Sequence, residues 1–224
     1  MAVLHHYAFC PHSRFIRLSL GEMGIEPETA EERPWERERH FLELNPSGAT
    51  PVFCEDEVAV PGASVIAEYL DETRGASLGR RLLPADRALR IEVRRLTEWF
   101  NTKFFEEVTS YLLEEKILKQ FRRGASPDAG AIRAARANMR YHLRYIGYLA
   151  GTRNWLAGDD LTYADLAAAA HLSCADYLGD VPWDEDEAAK DWYARVKSRP
   201  AFRAILVDRL PGMAPAEHYA DLDF

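Results

Sequence analysis

Cysteine is scarce in this 224-residue chain: Cys10, Cys54 and Cys174 are odd in number and far apart. They build neither a disulfide framework nor a C-x-x-C zinc site, so a reducing compartment is expected. No apolar run approaches the roughly 20 residues of a membrane-spanning helix. The first residues reach His5, His6 and Pro11 without the basic start and apolar stretch of a secretory leader. Cytoplasmic residence without membrane insertion follows as the expectation. Positive charge is also in short supply. With 28 Lys and Arg against 36 Asp and Glu, the net charge of -8 argues against general nucleic-acid binding. Nor do the histidines suggest a metal site, because His5 and His6 point to opposite faces of a strand and His12 lies beyond a turn.

What is present is an ordinary globular composition, 47% hydrophobic and 29% charged. It suffices to bury a core in one large domain or two small ones. The most informative segment is Asn45-Pro46-Ser47-Gly48-Ala49-Thr50-Pro51-Val52-Phe53. Pro51 has no amide to give a sheet, so it opens a strand, lies on an edge or sits in a cis turn. Before it, Val3 to Tyr7 reads as a strand. The Cys10-Pro11 step then starts a helix carrying Phe15, Leu18, Ser19 and Met23 at helical spacing, closed by Gly24. Ile25 to Glu31 is a second strand and Trp35 to Leu44 a short charged helix. Strands from Pro51 and at Val58 to Val60 flank a Glu55-Asp56-Glu57 turn, and Ala63 to Glu72 forms a third helix. The order predicted for residues 1–76 is βαβαββα.

Beyond a linker at 77–84 no strand pattern returns, so 85–210 is predicted to be all-helical, with a tail at 211–224. Leu89, Val93, Leu96, Phe100 and Phe104 step by three or four along one long amphipathic helix. A second long helix runs from Ala131 to about Leu149. Thr162-Tyr163-Ala164-Asp165 is a capping box, with aspartate for the usual Glu or Gln, before an alanine-rich helix. A final helix spans Glu187 to Arg199.

Chemistry concentrates in three places. Cys10 at a helix N-terminus has its thiolate favoured by the helix dipole, or it is a small apolar residue beside the core. Arg133, Arg136, Arg140 and Arg144 fall along one helical face, as do Arg87, Arg90 and Arg94. Such stripes are solvated or internally paired faces, or contacts for an acidic partner. In the tail, Tyr219, Leu222 and Phe224 alternate with Asp221 and Asp223, and the apolar members need burial on the protein itself or in a partner.

Four segments, Cys10-Pro11-His12-Ser13, Asn45 to Phe53, Ser64 to Leu70 and Thr162 to Asp165, together resemble the glutathione S-transferase superfamily over nearly the whole chain. The resemblance implies a thioredoxin-like N-terminal domain, an all-helical C-terminal domain, a cis Thr50-Pro51 bond and a homodimer. Family members grip the γ-glutamyl group of glutathione with a Glu/Gln-Ser pair opening the third helix, and those places hold Gly62 and Ala63 here. Ser64 is one residue further on, a rotation of about 100°. The vestigial cleft of Thr50, Pro51, Ala63 and Ser64 is therefore expected to bind glutathione weakly or not at all, leaving no catalytic residue and no cofactor. The alternative is a glutathione-dependent transferase or reductase using Cys10 or Ser13, with Tyr7 also near the place of the family's hydroxyl. The His6 to Glu22 segment, the altered grip and the tail resemble a division-associated branch of the superfamily. That likeness implies a non-enzymatic adaptor recruited to filaments of the tubulin-like GTPase FtsZ. Tyr219, Asp221, Leu222, Asp223, Phe224, Arg133, Arg136, Arg140 and Arg144 are the candidate contacts.

Overall fold

A four-stranded sheet of order β2-β1-β3-β4 opens the computed structural model, which describes residues 2–77, 81–122 and 124–222. β1 (Ala2–His6) runs parallel to β2 (Glu28–Glu31) and antiparallel to β3 (Val52–Glu55), which pairs antiparallel with β4 (Val58–Pro61). Side chains alternate along a strand, and Leu4 of β1 lies opposite Phe53 of β3 with both fully buried. They meet Phe15 and Ile16 of α1 (Pro11–Glu22) and Ile66 and Leu70 of α3 (Ala63–Leu70) in one core. Between β2 and β3 lies the short α2 (Arg39–Leu44), and the Thr50-Pro51 bond before β3 is cis.

The helical half differs from its sequence expectation in one respect. The single long helix is three segments: α4 (Arg87–Glu98), a π-helical stretch over Trp99–Thr109, and α5 (Ser110–Lys116). Apolar spacing of three or four cannot distinguish these, because Phe100, Phe104 and Val108 stay buried either way. The wide turns also bring Asn101 and Phe105 against His12 of α1. α6 (Ala129–Thr152) follows, capped by Asp128. α7 (Tyr163–Tyr177) is buried at every position, since its alanines let α1, α4 and α8 (Glu187–Lys197) pack around it. The capping box at its start has both halves present. Asp165 also accepts from the Leu156 amide at 2.9 Å and Trp192 Nε1 at 3.0 Å, tying α7 to α8. A one-turn α9 (Arg203–Leu206) leads into the tail.

Candidate functional site

Cys10 caps α1 at the junction of the two halves and lines a cavity of about 310 Å³, with His12, Thr50, Trp35, Phe105 and Leu113 among its walls. Its Sγ lies 3.6 Å from the Thr50 carbonyl oxygen. Burial pushes the Cys10 thiol up. Hydrogen bonds with His12, Thr50 and Ser13, and the charge of His12, outweigh it and bring the thiol down to about 7. His12 moves the opposite way. Burial disfavours its charge, but contact with Cys10 and with the Asn101 carbonyl raises it above the ordinary imidazole value. Ser13 is fully buried and its Oγ accepts from the Tyr7 amide at 3.4 Å, so its hydroxyl is engaged in the turn. Tyr7 meets Trp35 edge-on at 5.1 Å, and burial pushes its phenol up to about 12. Trp35 also stacks on Phe121, with ring centres 5.7 Å apart.

The residues expected to form a vestigial cleft do not converge. Thr50 lines the Cys10 cavity, whereas Pro51 and Ala63 are buried and do not line it. Ser64 is exposed in a separate groove between α3 and α4, beside Glu68 and Arg94, because the one-residue advance turns it to another face. Gly62 caps α3 at a φ of 91°, with no side chain to present. Among the described residues no group of three His, Cys, Asp or Glu is placed to hold a metal, and no helix is long and apolar enough to cross a membrane.

The tail requires a correction. Tyr219 is fully buried with Phe9, Ile117, Tyr177 and Leu210, because its ring and the others find more apolar area to cover on the protein than in solvent. It is not a surface contact. Its hydroxyl donates to the Ile205 carbonyl at 3.2 Å and accepts from Arg14. Arg14, itself fully buried, reaches the Ala8 carbonyl (2.8 Å), Ser173 Oγ (2.9 Å), Tyr219 (3.3 Å) and Asp208 (3.3 Å). One guanidinium thus joins α1, α7, the segment after α9 and the tail. Asp221 is exposed and Leu222 half-buried, while Asp223 and Phe224 lie outside the described residues.

The α6 stripe is divided. Arg136 and Arg140 are committed to Asp180 at 2.7 Å and Glu185 at 2.6 Å, which makes them internal ion pairs before they are partner contacts. Arg133 and Arg144 are exposed and have no ion pair among the described residues. On α4, Arg90 pairs with Asp71 and Arg94 with Glu68. Sequence reasoning missed His12, Arg14 and Asn101. The Cys10-Pro11-His12 adjacency on a helix's first turn was an available signal for His12. Nothing local marks Arg14, one arginine among many, as buried.

Comparison with known proteins accounts for this architecture. The Glutathione S-transferase N-terminal domain family matches residues 4–78, and the Glutathione S-transferase C-terminal domain family matches 113–200. FtsZ-localized protein A of Caulobacter vibrioides is 48% identical, over 99% of this chain and 97% of its own. A crystal structure of a glutathione S-transferase from Sinorhizobium meliloti superposes with a TM-score of 0.97 at 49% identity, covering 100% of both chains. The structure of FzlA from C. crescentus superposes with a TM-score of 0.95 at 47% identity, covering 100% of this chain and 99% of that one. With both halves matched and near-half identity maintained from end to end, the chain belongs to the glutathione S-transferase superfamily.

Proposed function

We propose that this protein is a non-enzymatic, dimeric adaptor that binds FtsZ filaments at the bacterial division site in the cytoplasm. The observation that carries this reading is the 48% identity to FtsZ-localized protein A along essentially its whole length. The site supports it, since Gly62 and Ala63 leave α3 without side-chain donors for a γ-glutamyl carboxylate. Contacts are assigned to Asp221, Leu222, Asp223 and Phe224 and to Arg133 and Arg144, which have no ion pair among the described residues. The low Cys10 thiol favours a second reading as a glutathione-dependent thiol enzyme. Co-sedimentation with assembled FtsZ separates the two. The chain is expected to pellet saturably, with Cys10→Ala pelleting as well as the parent. Absence of pelleting at moderate salt would count against the adaptor.

Dimerisation is assigned to exposed apolar side chains on three neighbouring elements: Val58 on β4 (51% exposed), Val65 on α3 (56%) and Ile91 on α4 (63%). A self-complementary two-fold contact buries such residues. The Glu68–Arg94 pair, with both bonds at 2.8 Å, bridges α3 to α4 beside them. Val65→Asp combined with Ile91→Asp is expected to halve, roughly, the mass seen by light scattering while the folded signal is retained, because a charge buried at an interface costs several kcal/mol. A parent chain already monomeric at micromolar concentration would remove the dimer from the reading.

A further inference from the structure

We propose that the free edge of β2 is a docking site for an extended, basic segment of another protein, which adds a fifth strand to the sheet and inserts one apolar side chain into the groove beside α1. None of the residues assigned to filament contact takes part, so the proposal stands or falls independently of the adaptor reading.

β2 ends the strand order β2-β1-β3-β4, so one side of its backbone faces no other strand of the sheet. The phase of that side is fixed by the Glu32 amide, which donates to the His6 carbonyl at 2.7 Å. Backbone groups alternate sides along a strand. Glu28 and Ala30 therefore face β1 as Glu32 does, whereas the N–H and C=O of Thr29 and Glu31 face away from the sheet. Among the described residues nothing accepts from or donates to these outward groups. They are the groups with which an added strand pairs.

The same register puts Thr29 opposite Leu4, with both side chains on the α1 face of the sheet. There a groove of about 440 Å³ lies between β2, α1 and α9, with Leu4, Leu20, Ile25, Pro27, Ala201 and Ala204 as its apolar lining. Its walls are held before anything binds. Arg199 reaches the two carboxylate oxygens of Glu22 at 2.6 and 2.5 Å, and Arg17 donates to the Ala204 carbonyl at 2.6 Å. An edge strand that needs protection alone is covered or carries charge. This edge carries charge and also leaves an apolar groove open along its length. A large apolar side chain at the centre of an added strand fills that groove and leaves water in doing so.

The chemistry of the occupant follows from the rim. Glu26 lines the groove before Thr29, Glu31 follows Thr29 on the same face, and Glu28 lies on the opposite face. All three are exposed and have no ion pair among the described residues, because neighbouring Arg33 pairs with Glu36, and His5 and His40 pair with Glu32. Arg17, the cation in the groove wall, is taken by Asp208 at 2.7 and 3.0 Å. A second copy of this chain would set the same carboxylates against these and is disfavoured. A basic residue on either side of the apolar one is attracted instead. Since side chains alternate along a strand, the segment that fits reads basic-x-apolar-x-basic, with polar residues at x.

The probe is a fluorescein-labelled peptide, Ser-Lys-Thr-Leu-Thr-Arg-Ser-amide, titrated with the full chain at pH 7 and followed by anisotropy and amide hydrogen exchange. Saturable binding is expected, and at saturation exchange at the Thr29 and Glu31 amides should slow at least about tenfold. Thr29→Pro removes one outward N–H and no bond to β1, and should weaken binding at least about fivefold, the scale of one backbone hydrogen bond. Ala204→Trp fills the groove from its exposed rim and should weaken binding at least about tenfold, which keeps the test available if proline unfolds the strand. Glu26→Lys combined with Glu31→Lys should weaken it by a similar factor and create binding to the peptide with Glu in place of Lys and Arg. No saturable binding by about 1 mM, the weak end of specific affinity, would overturn the proposal. So would saturation with unchanged exchange at Thr29 and Glu31, or with affinity indifferent to Thr29→Pro and Ala204→Trp. Strand protection undiminished by the charge reversal would overturn the basic partner.

Discussion

Arg14→Ala is expected to destabilise the protein by about 3–5 kcal/mol in urea unfolding, more than any surface arginine here. The substitution empties a fully buried site and removes donors to Ala8, Ser173, Tyr219 and Asp208 together. The loss is structural more than coulombic. Asp208 retains Arg17, whose guanidinium approaches its two oxygens at 2.7 and 3.0 Å, so no carboxylate is stranded. Arg14→Lys keeps the charge but not the planar fork, and about half the cost should remain. Because Tyr219 loses its donor, proteolysis should enter the tail of Arg14→Ala under conditions in which the parent is intact. A measured cost under about 1 kcal/mol would mean that the guanidinium is dispensable and the tail is held by apolar contacts alone.

Removal of the residues after Ala220 is the second large effect, and it separates binding from folding. The tail is anchored at His218 and Tyr219. His218 contacts Asp176 at 2.8 Å, and buried Lys197 donates to the His218 carbonyl at 3.1 Å. Asp221 is exposed, with its amide donating to the His218 carbonyl at 3.1 Å. Deleting 221–224 leaves the Tyr219 cluster and the His218–Asp176 contact in place, and should therefore cost less than about 1 kcal/mol. FtsZ pelleting should weaken at least about tenfold, the scale of losing a contact worth 1.4 kcal/mol or more. A cut before Tyr219 would confound the two readouts, since it empties the cluster around Phe9 and Tyr177. Undiminished pelleting of the shortened chain would move the contact to Arg133 and Arg144.

Much of the fold was legible because its signals are local. Pro11 in the first turn of α1, the Thr162–Asp165 box and the strand after Pro51 each follow from what a few neighbouring residues permit, and the structure has all three. The π-helical stretch was not legible, because the same apolar spacing serves both helix types over those residues. The candidate site was half legible. Cys10 announced itself at a helix start, but the imidazole interacting with it did not, because the partner that holds the His12 ring, the Asn101 carbonyl at 2.9 Å, is 89 residues away.

By itself, then, the sequence determined the order of elements, the presence of Gly62 and Ala63 where α3 begins, and the superfamily. These depend on backbone preference and on which side chains exist at all. Only the tertiary structure decided which polar groups are inside. Arg14 and Tyr219 lie 205 positions apart, and each can be buried because the other helps satisfy its hydrogen bonds, with Ser173 and Asp208 completing those of Arg14 and the Ile205 carbonyl those of Tyr219. The same rule pairs Arg136 with Asp180 while leaving Arg133 in solvent. Identical side chains on one helix face were separated by what happened to fold against them.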